Sequence, residues 1–138
     1  MRLWALPTTL VGLVLAGAAL FGGRACVRAG TLEAHGGFLG RILRVCPPFA
    51  GGAAAMALGH VILATSEEDL ARHRDHERVH VRQCERWGPL FLPAYAAASL
   101  WAWVRGLDPY MGNAFEREAF AEDEARLAAG SRDGSAAG

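Results

Sequence analysis

The residues of this chain best suited to chemistry are His76-Glu77-Arg78-Val79-His80. On a helix, side chains four residues apart project from one face, one turn above the other, so His76 and His80 can reach a single metal ion. Two imidazoles at this spacing suit zinc, and a glutamate beside the first can take a proton from a water at the same site. That is the core of a zinc-dependent hydrolase, with Glu77 as the catalytic base and His76 and His80 as metal ligands. A catalytic zinc takes three protein ligands and keeps one position open. Three and six residues beyond His80 stand Gln83 and Arg86, so the metzincin arrangement with a third histidine is absent, as is the inverted motif. The third ligand is then a carboxylate from a later helix, Glu118 or Glu116. Gln83 falls near the metal side of its helix and is a candidate to support the site. The competing reading of the same stretch is a solvated charged face, made by Arg72, Arg74, Asp75, Arg78, Arg82 and Glu85. Those residues fall mostly on the face away from the two histidines.

The motif needs a helix to carry it, and both ends of one are signalled. Ser66 is a good N-cap, and Glu67, Glu68 and Asp69 put negative charge in the first turn, where the helix dipole favours it. Gly88-Pro89 ends the helix after Trp87. Before it, residues 57–64 (ALGHVILA) read as one strand, short and β-branched. The segment from Thr31 to Phe49 has scattered glycines and room for one or two short strands. A last helix begins at Asn113, with Glu116 at the third helical position as in a capping box. It carries Glu118 and Glu122 towards Leu127. Because the capping box gives Glu116 a local role, Glu118 is the preferred ligand. His73 reads as a surface residue, His60 is left open between substrate and solvent, and His35 carries no signal. Tyr95 and Tyr110 read as packing residues.

The 138 residues allow one domain with a membrane segment attached. Lysine is absent, so all fourteen basic residues are arginine, and they balance fourteen acids. A net charge of zero gives no excess positive charge to neutralise phosphates, so no nucleic-acid partner is expected. Cys26, Cys46 and Cys84 have no pairing pattern and read as ordinary small side chains.

Residues 3–23 are free of charge. About 20 apolar residues suffice to cross a bilayer as a helix. An uncleaved anchor in a bacterial inner membrane is the expectation. The rival is a cleaved signal peptide, which would make the chain secreted or periplasmic. A second apolar run, residues 89–104, with Trp87, Trp101 and Trp103 about it, reads first as a core helix under the site, then as an interfacial helix, then as a short span. The small, polar residues after Leu127 read as a disordered tail.

His76-Glu77-Arg78-Val79-His80, Gln83 and the helix with Glu118 and Glu122 together resemble the zincin metalloprotease superfamily, on its gluzincin side. The stretch from Gly59 to Gly88 is also similar to the strand-plus-helix unit of small bacterial HExxH proteins with a later N-x-x-E-x-E-A segment, here Asn113 to Ala119. Glu118-Ala119-Phe120-Ala121-Glu122 is similar to the Glu-x-x-Ala-Asp ligand helix of membrane-bound zincin peptidases, with Glu122 in place of Asp. The resemblance covers about half the chain, residues 57–125. It implies a zinc cofactor held by His76, His80 and Glu118. It also implies outer support from Glu122, which would brace a motif histidine through its second ring nitrogen, and a peptide or protein substrate laid along an edge strand.

The expected fold is α+β and mainly helical. A membrane anchor or signal segment (1–28) precedes a minimal zincin-like unit (29–128) and a disordered tail (129–138). The expected function is a membrane-associated zinc metallopeptidase. The alternative is a non-catalytic membrane protein with a structural or sensory zinc site, and the sequence does not settle the oligomeric state.

Overall fold

A computed structural model describes residues 3–45 and 53–135. The fold is α+β, mainly helical, with a small mixed sheet. The chain forms two compact units, Met1–Phe91 and Leu92–Gly138.

In the first unit, a 3-10 turn leads into α1 (Leu6–Ala16), and a second 3-10 turn leads to β1 (Gly23–Arg28) and β2 (Thr31–Gly36). Then come α2 (Gly37–Val45), β3 (Ala55–Leu58), β4 (Val61–Ala64) and α3 (Glu67–Trp87). The sheet order is β1-β2-β4-β3, with β2 parallel to β4 and the other pairs antiparallel. The run read as a single strand is a hairpin. Gly59 and His60 form its two-residue loop, and Gly59 has φ +62, the conformation a glycine supplies at the first position of such a loop. A Cβ there would meet the Thr9 hydroxyl oxygen at 2.2 Å, so α1 can lie this close to the loop only over a glycine.

Alternation along β4 sends side chains to both faces of the sheet. Val61 and Leu63 join one core with Ala16, Ala19, Leu39 and Leu43. Ile62 and Ala64 join another with Leu70 and Val81 of α3. All four residues of β4 are buried, as expected of a central strand covered on both sides.

The N-terminal apolar run, expected as a membrane span, is not one continuous α-helix. The run breaks into α1 and two short 3-10 turns, and no helix among the described residues is long and apolar enough to cross a membrane. The physical reason lies in the spacing of small residues. Thr8, Thr9, Gly12 and Ala16 form one face of α1 and are buried against the rest of this unit. The expected boundary after residue 28 falls in the turn between β1 and β2, inside the first unit.

The second unit contains α4 (Phe91–Val104), from Leu92 onward, and α5 (Ala114–Ser135). The bonds from Leu107 N to Ala102 O (3.0 Å) and from Gly106 N to Trp103 O (2.9 Å), with Gly106 at φ +73, end α4 in a Schellman motif. The core-helix reading of this segment needs correction. Among its large side chains, Leu92, Leu100, Trp101, Trp103 and Val104 are exposed. Helix α5 continues past Leu127 to Ser135 through most of the expected disordered tail, and residues 136–138 lie outside the described residues. Alanines at 125, 128 and 129 favour that extension.

Candidate metal centre

Helix α3 has the ends its sequence signals. Ser66 is its N-cap, its hydroxyl accepting from Asp69 N at 3.1 Å, and Gly88 with φ +59 ends it. The Thr65 hydroxyl and the Ser66 hydroxyl (2.8 Å) both donate to the Asp69 carboxylate. These two bonds hold the Asp69 carboxyl below its usual range. The first turn is thereby anchored to the end of β4.

Two turns further on, His76, Glu77 and His80 are all buried, at 6–7% exposure. The His76 and His80 rings stand 5.0 Å apart, edge to face. Gln83, 1% exposed, faces His80, with Oε1 2.8 Å from Nδ1. Because the amide oxygen can only accept, Nδ1 carries the proton and donates to it, and Nε2 carries the lone pair that a metal would use.

The rotation of α3 about its axis is held by a residue that the sequence reading passed over. Glu33 of β2 is fully buried on the sheet face that α3 covers. Arg74 Nε donates to both of its oxygens at 3.2 and 3.1 Å, and Arg78 lies 3.5 Å away. The sequence places Arg74 and Arg78 on the solvated charged face. They are instead about three-quarters covered, and they tie the motif's own turn to the sheet. Glu85, from the same set, pairs with His60 Nε2 at 2.8 Å. His60 is buried against Thr9 and serves as a link between α1, the hairpin and α3. His73 lies near Asp69, one turn before the motif.

On α5, Asn113 is the N-cap and is fully buried. Its Oδ1 accepts from Phe115 N at 2.9 Å, and its amide group donates to Tyr95 O and to the Ser99 hydroxyl. The backbone N–H that a capping box would give to Glu116 goes instead to Tyr110 O. Glu116, 2% exposed, accepts from the Tyr95 hydroxyl at 2.6 Å. Residues two apart on a helix point nearly opposite ways, about 200° around the axis. Phe115, Glu116 and Ala119 form the buried side of α5, while Glu118 and Glu122 are part-exposed.

The first unit thus offers two buried imidazoles, His76 and His80, on α3, and the second unit carries one buried carboxylate, Glu116, on α5. Glu118, the carboxylate favoured from sequence, is part-exposed on the same helix. Tyr95, read as a packing residue, is the hydroxyl partner of Glu116. No spacing signal connects the two, since they lie on different helices. Two imidazoles and a carboxylate are a donor set that zinc accepts.

No protein-family model, curated protein or solved structure matches the chain.

Proposed function

We propose that the chain is a zinc-dependent hydrolase of the metallopeptidase kind, working at a membrane. The observation that carries the reading is the buried, edge-to-face pair His76 and His80 with Glu77 between them on α3. The third ligand in this proposal is a carboxylate of α5, Glu116 or Glu118, of which Glu116 is buried and Glu118 part-exposed. Zinc bound there would polarise a scissile carbonyl and bring the pKa of a water near 7. Glu77 takes a proton from the attacking water and returns it to the leaving amine. Gln83 holds the His80 ring in the tautomer that presents Nε2. Tyr95 orients the Glu116 carboxylate through its hydroxyl.

Elemental analysis of the purified full chain tests the site, and hydrolysis of a quenched fluorescent peptide library tests the chemistry. The expected results are about one zinc per chain, its loss in His76→Ala, and a Glu77→Gln variant that keeps zinc and loses turnover. A wild-type chain without zinc overturns the metal site. A Glu77→Gln variant that turns over as fast as wild type overturns the mechanism. Zinc with no turnover in the wild type leaves the non-catalytic alternative standing.

A further inference from the structure

Helix α1 has its apolar side chains the wrong way round for a helix packed in water. Its buried stripe is Thr8, Thr9, Gly12 and Ala16, all small. Most of its large residues face outward, Leu15 being partly packed on the core: Leu10 is 59% exposed and Val14 78%, and just beyond the helix Leu20 and Phe21 are more than 70% exposed. A helix lying on a protein core in water turns its large apolar residues inward. In lipid the preference reverses, because small residues let backbones approach closely and large apolar ones face the acyl chains. The close approach is present here: a Cβ on Gly12 would meet Val61 Cβ at 2.8 Å and Leu58 O at 2.9 Å.

Charge supplies an independent observation. Between residues 3 and 45 the only acid is Glu33, which is buried against Arg74 and Arg78. The basic residues of the same segment, Arg24, Arg28, Arg41 and Arg44, are all exposed. Arg41 also lines a shallow depression with Phe21 and Phe38. Exposed aromatic rings beside arginine, with no acid in the segment free to oppose them, complement the headgroup layer of an anionic membrane.

We propose that the outward face of α1, with Phe21 and Phe38, seats this protein in the surface of a bilayer containing anionic lipid, where the arginines of β1 and α2 contact the headgroups. The mode is interfacial, with α1 lying in the plane of the bilayer and not crossing it. This rests on the membrane part of the reading above and names its face and its lipid class; it is independent of the metal.

Flotation of the full chain with vesicles tests it. One set is phosphatidylcholine alone, and the other an equal mixture of phosphatidylcholine and phosphatidylglycerol. Binding is expected on the mixed vesicles, falling with added salt. Leu10→Gln with Val14→Gln changes two exposed positions and should weaken binding about tenfold or more while circular dichroism stays unchanged. Arg41→Ser with Arg44→Ser should weaken it about fivefold for each charge lost. Equal binding to both vesicle types, or binding that neither double variant alters, overturns the assigned face and leaves membrane association standing. No binding to either vesicle type overturns both. Sedimentation that finds a dimer broken by the Leu10/Val14 variant, with no vesicle binding, gives the face to a second copy and overturns the lipid assignment.

Discussion

His80 Nδ1 and Gln83 Oε1 stand 2.8 Å apart, one helical turn from each other and both buried. The bond decides which nitrogen of His80 can serve a metal. Gln83→Leu keeps the volume and removes the acceptor. Zinc affinity measured by chelator competition should fall by about 10–100-fold, the usual cost of losing such a supporting bond. An unchanged affinity would remove Gln83 from the proposed site.

The two candidate carboxylates separate cleanly by substitution. Glu116→Gln should lose bound zinc, while Glu118→Gln should keep about one per chain. Elemental analysis of both variants checks this, and the opposite pattern would restore Glu118 as the ligand.

The Glu33 clamp is a stability prediction. Glu33→Gln leaves Arg74 and Arg78 without their buried counter-charge, although each is partly solvated. A loss of about 2 kcal/mol is expected, in the range for hydrogen bonds to charged groups. Urea unfolding measures it. A change below about 0.5 kcal/mol, the scale of ordinary surface substitutions, would mean that the clamp contributes little.

Acid should weaken the start of α3. The carboxyl of Asp69 is lowered below its usual value by the Thr65 and Ser66 hydroxyls, so it titrates lower in the folded than in the unfolded chain. Its contribution is full above the unfolded value of about 3.9 and is lost as pH falls through the folded value. Asp69→Asn should therefore flatten the acid limb of the stability curve below pH about 4. The urea midpoint measured as a function of pH checks it, and an identical limb in the variant would contradict it.

The thiols differ in environment. Burial pushes Cys84 up to about 11, whereas Cys26 is exposed on β1. At pH about 8 only about one thousandth of Cys84 is thiolate, and reagent must also reach it. Iodoacetamide followed by peptide mass mapping should label Cys26 in the native chain and Cys84 only in denaturant. Equal native labelling would count against the packing of α3 on the hairpin.

How much of this was legible in the sequence depends on how local each signal is. The ends of α3 rest on Ser66 and Gly88, which act within one turn, and both were readable. So was the capping role of Asn113. The hairpin at Gly59 was read as continuous strand because apolar residues flank the turn on both sides, and a single glycine does not separate a loop from a bulge. The assignment of Glu118 over Glu116 followed from a local rule, the capping box. That box does not form: Glu116 accepts from the distant Tyr95 hydroxyl, and Asn113 N donates to Tyr110 O in the turn just before the helix. The role of Glu33 was not legible at all. Its partners lie forty and more residues away, and nothing in its own neighbourhood marks it. The apolar run at the start was read by its length, whereas its fold follows the spacing of Thr8, Thr9, Gly12 and Ala16.

That spacing has a consequence for biosynthesis. Gly12 packs against Leu58 and Val61, which are translated only after β1, β2 and α2. A chain made from its N-terminus therefore presents α1 before the strands that receive it exist. Until the hairpin emerges from the ribosome, both the small and the large faces of this helix are uncovered.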